Sequence, residues 1–278
     1  MKFKHIALCL ALAEFVPVLS HAATNDLNLI SASKMHFLMN PIYPPMEYHD
    51  AKTGKIVGFD VDISQEIAHR LGKKPMYVST AFSQLQSSLL THRGDLIISG
   101  MSDNPKREKT MDFVDYVTSG PVFFTLKKNA GKYASELALC GKTVAASRST
   151  TFGQSIMTWS KANCDANGKT AIHFEGTEDS SAARLGMKQG RYDAVVQGIE
   201  TMAYQMKLEP NEYKMIGKPM KSNDIYGIGI PKNNPELRAA VVKTLNAMIA
   251  DGTYTKILDK WGLTTNGVKT AQVNGAGK

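Results

Sequence analysis

The segment Ser99-Gly100-Met101-Ser102-Asp103-Asn104-Pro105-Lys106-Arg107 carries the residue types of an anion site. It follows Leu96-Ile97-Ile98, a short apolar run that reads as a strand, introduced by the turn signal Gly94-Asp95. Asn104 suits a helix N-cap and Pro105 suits the first helical turn. Ser99, Gly100 and Ser102 then stand at the strand end with hydroxyls and backbone N–H groups to offer, and Arg107 follows three residues past the cap. Free amides, a helix start and a guanidinium fork together make a carboxylate site. An ordinary capped surface helix with a solvated arginine is the competing reading, and local chemistry weighs the two evenly.

A second loop, Asn40-Pro41-Ile42-Tyr43-Pro44-Pro45-Met46-Glu47-Tyr48, follows the strand signal Phe37-Leu38-Met39. Its prolines stiffen it and hold Tyr43 where a ring can stack on an apolar or cationic ligand. On that segment alone a core tyrosine is the stronger reading. Several enzyme signatures are missing. Gly141-Lys142-Thr143 has the end of a phosphate loop, but Glu136 stands where the first glycine is required, and Gly168-Lys169-Thr170 fails in the same way at Asn163. The sequence has no HExxH motif and its histidines are scattered, so neither a metal nor another cofactor is expected. A Ser-His-Asp triad has no local signature and no positive sign here.

The elements that must position these residues alternate. Val61 to Leu71 carries a helical stripe at Ile63, Ile67 and Leu71, closed by Gly72. Thr143–Ala146, Ala171–Phe174, Ala194–Val196 and Tyr226–Ile230 read as strands, with a helix from about Glu178 to Gln189. Pro235–Ala250 and Thr253–Trp261 read as helices broken by Gly252, and the Gly-, Asn- and Thr-rich tail 264–278 reads as disordered. Strands alternating with helices predict an α/β fold with mainly parallel sheets, and ligands in such folds sit at the carboxyl ends of strands.

The N-terminus predicts export. Lys2 and Lys4 precede an apolar run from Ile6 to Phe15, too short to span a bilayer, and Ser20-His21-Ala22 offers small residues for cleavage after about Ala22. Glu14 is unusual in that run, and a buried first helix is the minor alternative. Cys9 follows Leu8, not a small residue, which excludes a lipoprotein signal. Removing residues 1–22 leaves roughly 256 residues, enough for two modest domains. Cys140 and Cys164 then remain, and an even pair outside the cytoplasm is usually a disulfide, with two free buried thiols as the alternative. The net charge of +8 comes from Lys and Arg spread along the chain with no long basic run. A solvated basic surface, not nucleic-acid binding, is the expected meaning; it also favours an anionic ligand.

Together these segments resemble the family 3 bacterial extracellular solute-binding proteins. The residues that carry the resemblance are Tyr43-Pro44-Pro45, Gly58-Phe59-Asp60-Val61-Asp62-Ile63, Leu71-Gly72, Asp95 to Met101 with Arg107, and Asp112-Phe113. Gly190 to Val196, Tyr226-Gly227-Ile228, Ala250 to Tyr254 and Lys260-Trp261-Gly262 continue it in the right order. The resemblance implies a two-lobed periplasmic-binding-protein fold with ligand in the interlobe cleft. It places lobe 1 at 23–120 and 223–263, lobe 2 at 121–222, and hinge strands near Thr118–Val122 and Ser222–Gly227. It implies that Arg107 forks the ligand α-carboxylate with help from Ser102, and that Ser99 and Gly100 accept from the α-ammonium. Tyr43 would stack on the ligand, Phe82 would form a second apolar wall, and Thr150 and Thr151 would hold the carboxylate from the second lobe.

Three positions depart from the family's pattern. Ser149 replaces a glycine, Asn40 replaces an aspartate found in several members, and Gly198 replaces the ammonium-binding aspartate. Glu200, two residues on, is the expected substitute; a ligand without an α-ammonium is the other possibility. The leading expectation is a monomeric periplasmic receptor that delivers an amino acid or related small carboxylate to an ABC permease. The alternative is a dehydratase-like enzyme on the same scaffold, with Glu200 or Glu47 as its acid. A sensor domain or a wall-lytic enzyme would be expected to carry further segments.

Overall fold

The computed structural model describes residues 27–220 and 224–276. The expected leader peptide and Ser222 of the expected hinge lie outside the described residues.

The first lobe starts with β1 (Lys34–Met39), followed by a small antiparallel sheet of β2 (Ile42–Tyr43), β3 (Glu47–His49) and β4 (Ile56–Val57). Helix α1 (Phe59–Arg70) buries Phe59, Val61, Ile63, Ile67 and Ala68, the stripe legible in the sequence. Next come β5 (Lys74–Ser79), α2 (Leu85–Leu90), β6 (Leu96–Ile97) and β7 (Met111–Ser119). Gly120 then separates β7 from β8 (Pro121–Leu126), which opens the second sheet. That lobe continues through β9 (Thr143–Ser147), α3 (Phe152–Asn163), β10 (His173–Thr177), α4 (Ser180–Lys188), β11 (Ala194–Gly198), α5 (Ile199–Leu208) and β12 (Tyr213–Ile216). The chain then returns to the first lobe as β13 (Asp224–Pro231), α6 (Pro235–Ala250) and α7 (Thr253–Trp261).

The first sheet has the order β5-β1-β6-β13-β7, and the second β10-β9-β11-β8-β12. In each, three neighbouring strands are parallel and the strands next to the crossover run antiparallel. The apolar clusters obey the same division. Phe37, Phe59, Tyr116 and Leu245 share one core; Phe123, Ile156 and Val196 share another; among the described residues no buried apolar cluster draws from both sheets. Each lobe therefore buries its own hydrophobic face, and the contacts between lobes are left to polar groups.

The tail corrects a sequence expectation. Residues 264–276 are ordered along the outer edge of β7. Val273 bridges Val114, the Asp115 amide donates to the Gln272 carbonyl, and the Asn274 amide donates to the Phe113 carbonyl. Asn274 Oδ1 accepts from Phe113 N at 2.8 Å, and Asn266 exchanges hydrogen bonds with Thr118 at 2.9 Å. Beyond them the Gly275 and Ala276 amides reach Asp115 Oδ2 and Asp103 Oδ2 at 3.0 and 3.1 Å. The segment carries few apolar side chains, Val268 and Ala271 packing on the first core, and it docks otherwise through its backbone and asparagines, pairing the unfilled groups of an edge strand.

Cys140 and Cys164 form a disulfide that joins the start of β9 to the end of α3. The closed loop spans 24 residues, so its chain-entropy contribution is about 3 kcal/mol. The double variant Cys140→Ser, Cys164→Ser should lose stability of that order in urea unfolding, with the slope showing whether the second lobe melts separately.

Candidate functional site

The carboxyl ends of the two sheets face each other across a cleft. Asn40, Tyr43, Phe82, Gly100, Ser102 and Arg107 line it from the first lobe, and Thr150, Thr151 and Asp179 from the second. The space left between them is about 30 Å³, far below the several hundred of an ordinary ligand pocket, so the lobes must part to admit a ligand.

Arg107 lies where the sequence placed it, but on a single 3-10 turn, Arg107–Lys109, and not on a regular helix. Asn104 still caps that turn; its Oδ1 accepts from the amides of Lys106 and Arg107 at 3.1 and 3.0 Å. The guanidinium donates to the Ser102 carbonyl at 2.8 Å and, across the cleft, to the Ser149 carbonyl at 3.2 Å. It also sits 5.7 Å from the centre of the Phe82 ring. Burial lowers its pKa, opposed by the charge of Asp224. Among the described residues no carboxylate forms an ion pair with it. A desolvated guanidinium answered only by carbonyl oxygens is an incomplete pair, and an anion completes it.

The second lobe meets it with the turn before α3. Thr150 Oγ1 donates to the Ser147 carbonyl and accepts from the Phe152 amide, the first of α3, whose N-cap position is Thr151. The Thr151 hydroxyl lies 3.3 Å from that of Ser102, a contact between lobes.

Ser99 is buried one layer back. Its hydroxyl accepts from the Asn40 amide at 3.0 Å and donates to Glu47 Oε1 at 2.6 Å. Gly100, at φ +49°, brings its amide onto Asp60 Oδ2 at 2.9 Å, and a Cβ there would stand 3.3 Å from the Tyr43 ring. Tyr116 donates to the other oxygen of Asp60 at 2.7 Å. Burial, and then the charge of Asp60, push Glu47 well above the carboxylate range; Asp60, richer in donors, is raised less. Glu47 therefore holds the proton of this pair, and Asp60 the charge.

Glu200 does not line the cleft. It sits behind Tyr43, where Oε2 accepts from the Ser119 hydroxyl at 2.5 Å and Oε1 from the hydroxyls of Tyr226 and Tyr43 at 3.0 and 3.3 Å. Gly198 explains how. A Cβ at residue 198 would fall 2.0 Å from Glu200 Oε1, so the Glu200 carboxylate fills the space in front of Gly198 that a side chain there would occupy. The Gly198 amide in turn donates to the Tyr43 hydroxyl at 3.1 Å. The departure at 198 and the acid at 200 are thus one arrangement. Sequence reasoning missed Ile42, Ser147, Phe152, Asp179 and Ser180 as lining residues; of these Asp179 had a visible signal, an acid just before a helix.

Burial raises Glu200 from the ordinary 4.5 to about 7, against the hydroxyl donors that oppose it. A carboxyl raised by folding holds its proton more tightly when folded. Its contribution is fully present below pH 4.5 and is lost as pH rises to about 7, a change of about 3 kcal/mol. Glu200→Gln cannot ionise, so its unfolding free energy should fall less than that of the parent between pH 4.5 and 8. Parallel pH profiles in urea titrations would show that Glu200 is not the buried acid described.

The model of the bacterial extracellular solute-binding proteins, family 3, matches residues 35–264. The histidine-binding periplasmic protein of Salmonella typhimurium (strain LT2) is 26% identical over 264 residues, covering 93% of this chain and 96% of that protein. An ancestral arginine-binding protein, solved with arginine bound, is 30% identical with a TM-score of 0.72, covering 82% of this chain and 98% of that one. An ancestral amino acid-binding protein described as a precursor of cyclohexadienyl dehydratase is 29% identical with a TM-score of 0.71, covering 82% of this chain and 95% of that one. Two lobes with separate cores, a cleft at the strand ends and a match over nearly all the described residues place the chain among the bacterial extracellular solute-binding proteins of family 3.

Proposed function

We propose that this protein is a periplasmic receptor that captures an amino acid and delivers it to an ABC permease. The carrying observation is Arg107, whose guanidinium lines the cleft and, among the described residues, has only the Ser102 and Ser149 carbonyls as hydrogen-bond acceptors. The ligand α-carboxylate takes the place of those weak partners, with Ser102, Thr150 and Thr151 around it. The α-ammonium goes to Glu200 by displacing the Tyr43 hydroxyl, which makes the longest of the three bonds to that carboxylate. The lobes at 23–120 with 223–263, and at 121–222, close by a hinge near Gly120. The leader is cleaved after about Ala22. The protein acts as a monomer and without catalysis: Glu200, held among hydroxyl donors behind Tyr43, serves as the ammonium partner, and Glu47 is buried one layer back, where it accepts from Ser99.

Mass spectrometry of small molecules released from freshly purified, denatured protein tests the reading. A stoichiometric amino acid supports it; a released compound that the protein converts to a product of different mass would support the enzyme alternative. Arg107→Ala should weaken binding of the recovered ligand by about 2–5 kcal/mol, roughly thirtyfold to several thousandfold, in calorimetry. Arg107→Lys should recover only part of the loss, because an ammonium lacks the planar fork. Unchanged affinity in Arg107→Ala would remove the residue from the site.

A further inference from the structure

The cleft holds one charged oxygen that neither the α-carboxylate nor the α-ammonium uses. Asp179 caps α4 with one oxygen, Oδ1 accepting from the Ala182 amide at 2.7 Å. The side chain also lines the cleft. Its second oxygen, Oδ2, has no hydrogen-bond partner among the described residues, and no lysine or arginine there forms an ion pair with it. Arg184, on its own helix, feels the charge of Asp179 but hydrogen-bonds neither of its oxygens; it donates to Gln197 Oε1 at 3.0 Å and to the Ser181 hydroxyl at 3.1 Å.

We propose that Asp179 is the specificity residue that selects a ligand with a cationic side chain. The proposal rests on the amino-acid reading above and deepens it. The other acid of the cleft wall, Glu47, is turned inward to Ser99 and Asp60 and holds its proton. Asn40, on the facing wall, is neutral. Glu47 Oε2 also lacks a hydrogen-bond partner but is fully buried, so among the described residues Asp179 is the lining carboxylate whose spare oxygen belongs to a half-exposed side chain. When the lobes close, that oxygen leaves water. A guanidinium or ammonium on the ligand pairs with it; a neutral side chain leaves it desolvated and unanswered. Discrimination therefore comes as much from the penalty against neutral ligands as from attraction to charged ones. Tyr43 and Phe82 line the same cleft and supply aromatic rings, which suit a flat cation.

The pair arginine and citrulline isolates the charge, because citrulline keeps the shape of arginine and lacks its charge. Calorimetry on the parent protein should give at least tenfold tighter binding of arginine. Asp179→Asn keeps the cap, since its amide oxygen still accepts from Ala182, and removes the charge. It should weaken arginine by roughly ten- to a hundredfold, leave citrulline unchanged or improved, and bring the ratio of the two toward one. Asp179→Ser, a second good cap without charge, should do the same, and thermal unfolding checks that each variant is folded. Equal loss for both ligands in these variants would make Asp179 a structural cap only and overturn the proposal. Parent protein that binds citrulline as tightly as arginine overturns the proposal and leaves the amino-acid reading standing. Parent protein that binds neither of these, nor any other amino acid, overturns both.

Discussion

The Glu200 carboxylate is the point on which the two lobes are tied together. It belongs to α5 of the second lobe, yet its donors are Ser119 on β7, Tyr226 on β13 and Tyr43 on β2. Those are the strand that leaves the first lobe, the strand that returns to it and the loop strand that walls the cleft. One buried acid thus reports the position of each. Such a group is costly to desolvate, and it persists because three hydroxyls and the space above Gly198 are shaped to it. Removing the side chain at 198 was the condition for placing one at 200.

The rest of the interface is polar and thin. Tyr48 and Tyr204 meet through their hydroxyls at 2.9 Å, Ser102 meets Thr151 at 3.3 Å, and Arg107 reaches Ser149 at 3.2 Å. A typical bond of this kind nets about 1 kcal/mol, and water replaces it on opening. Neither core is breached when the lobes part. The balance between open and closed forms is therefore small enough for a ligand's differential contacts to tip it.

Much of this was legible in the sequence, for physical reasons. Helix α1 announces itself by its apolar spacing and Gly72, and α6 and α7 by the Pro235 start and the break at Gly252. Arg107, Tyr43, Ser102 and the Thr150–Thr151 turn come together from segments that local chemistry or family resemblance had marked. What escaped was whatever depends on the partner across space. Nothing local says that Glu200 folds back over Gly198, that Asn104 caps a single 3-10 turn, or that Ser99 faces Glu47 and not the cleft. The tail misled because a Gly- and Asn-rich composition reads as loop, whereas here backbone groups and asparagine side chains pair with the open edge of β7.

That anchorage, with the order of the strands, has a consequence for how the molecule is made. The second lobe is one uninterrupted stretch, β8 to β12, with its disulfide inside it. The first lobe is not. Its sheet lacks β13, which lies between β6 and β7, until the chain beyond Pro231 has emerged, and the outer edge of β7 stays bare until Ala276 arrives. A chain emerging from its N-terminus completes the later lobe first. The earlier one waits with three unpaired strand edges, one of β6 and both of β7, exposed to any neighbouring strand. The vulnerable interval in the life of this protein is therefore set by the last fifth of its sequence, the part that contributes least to the ligand cleft.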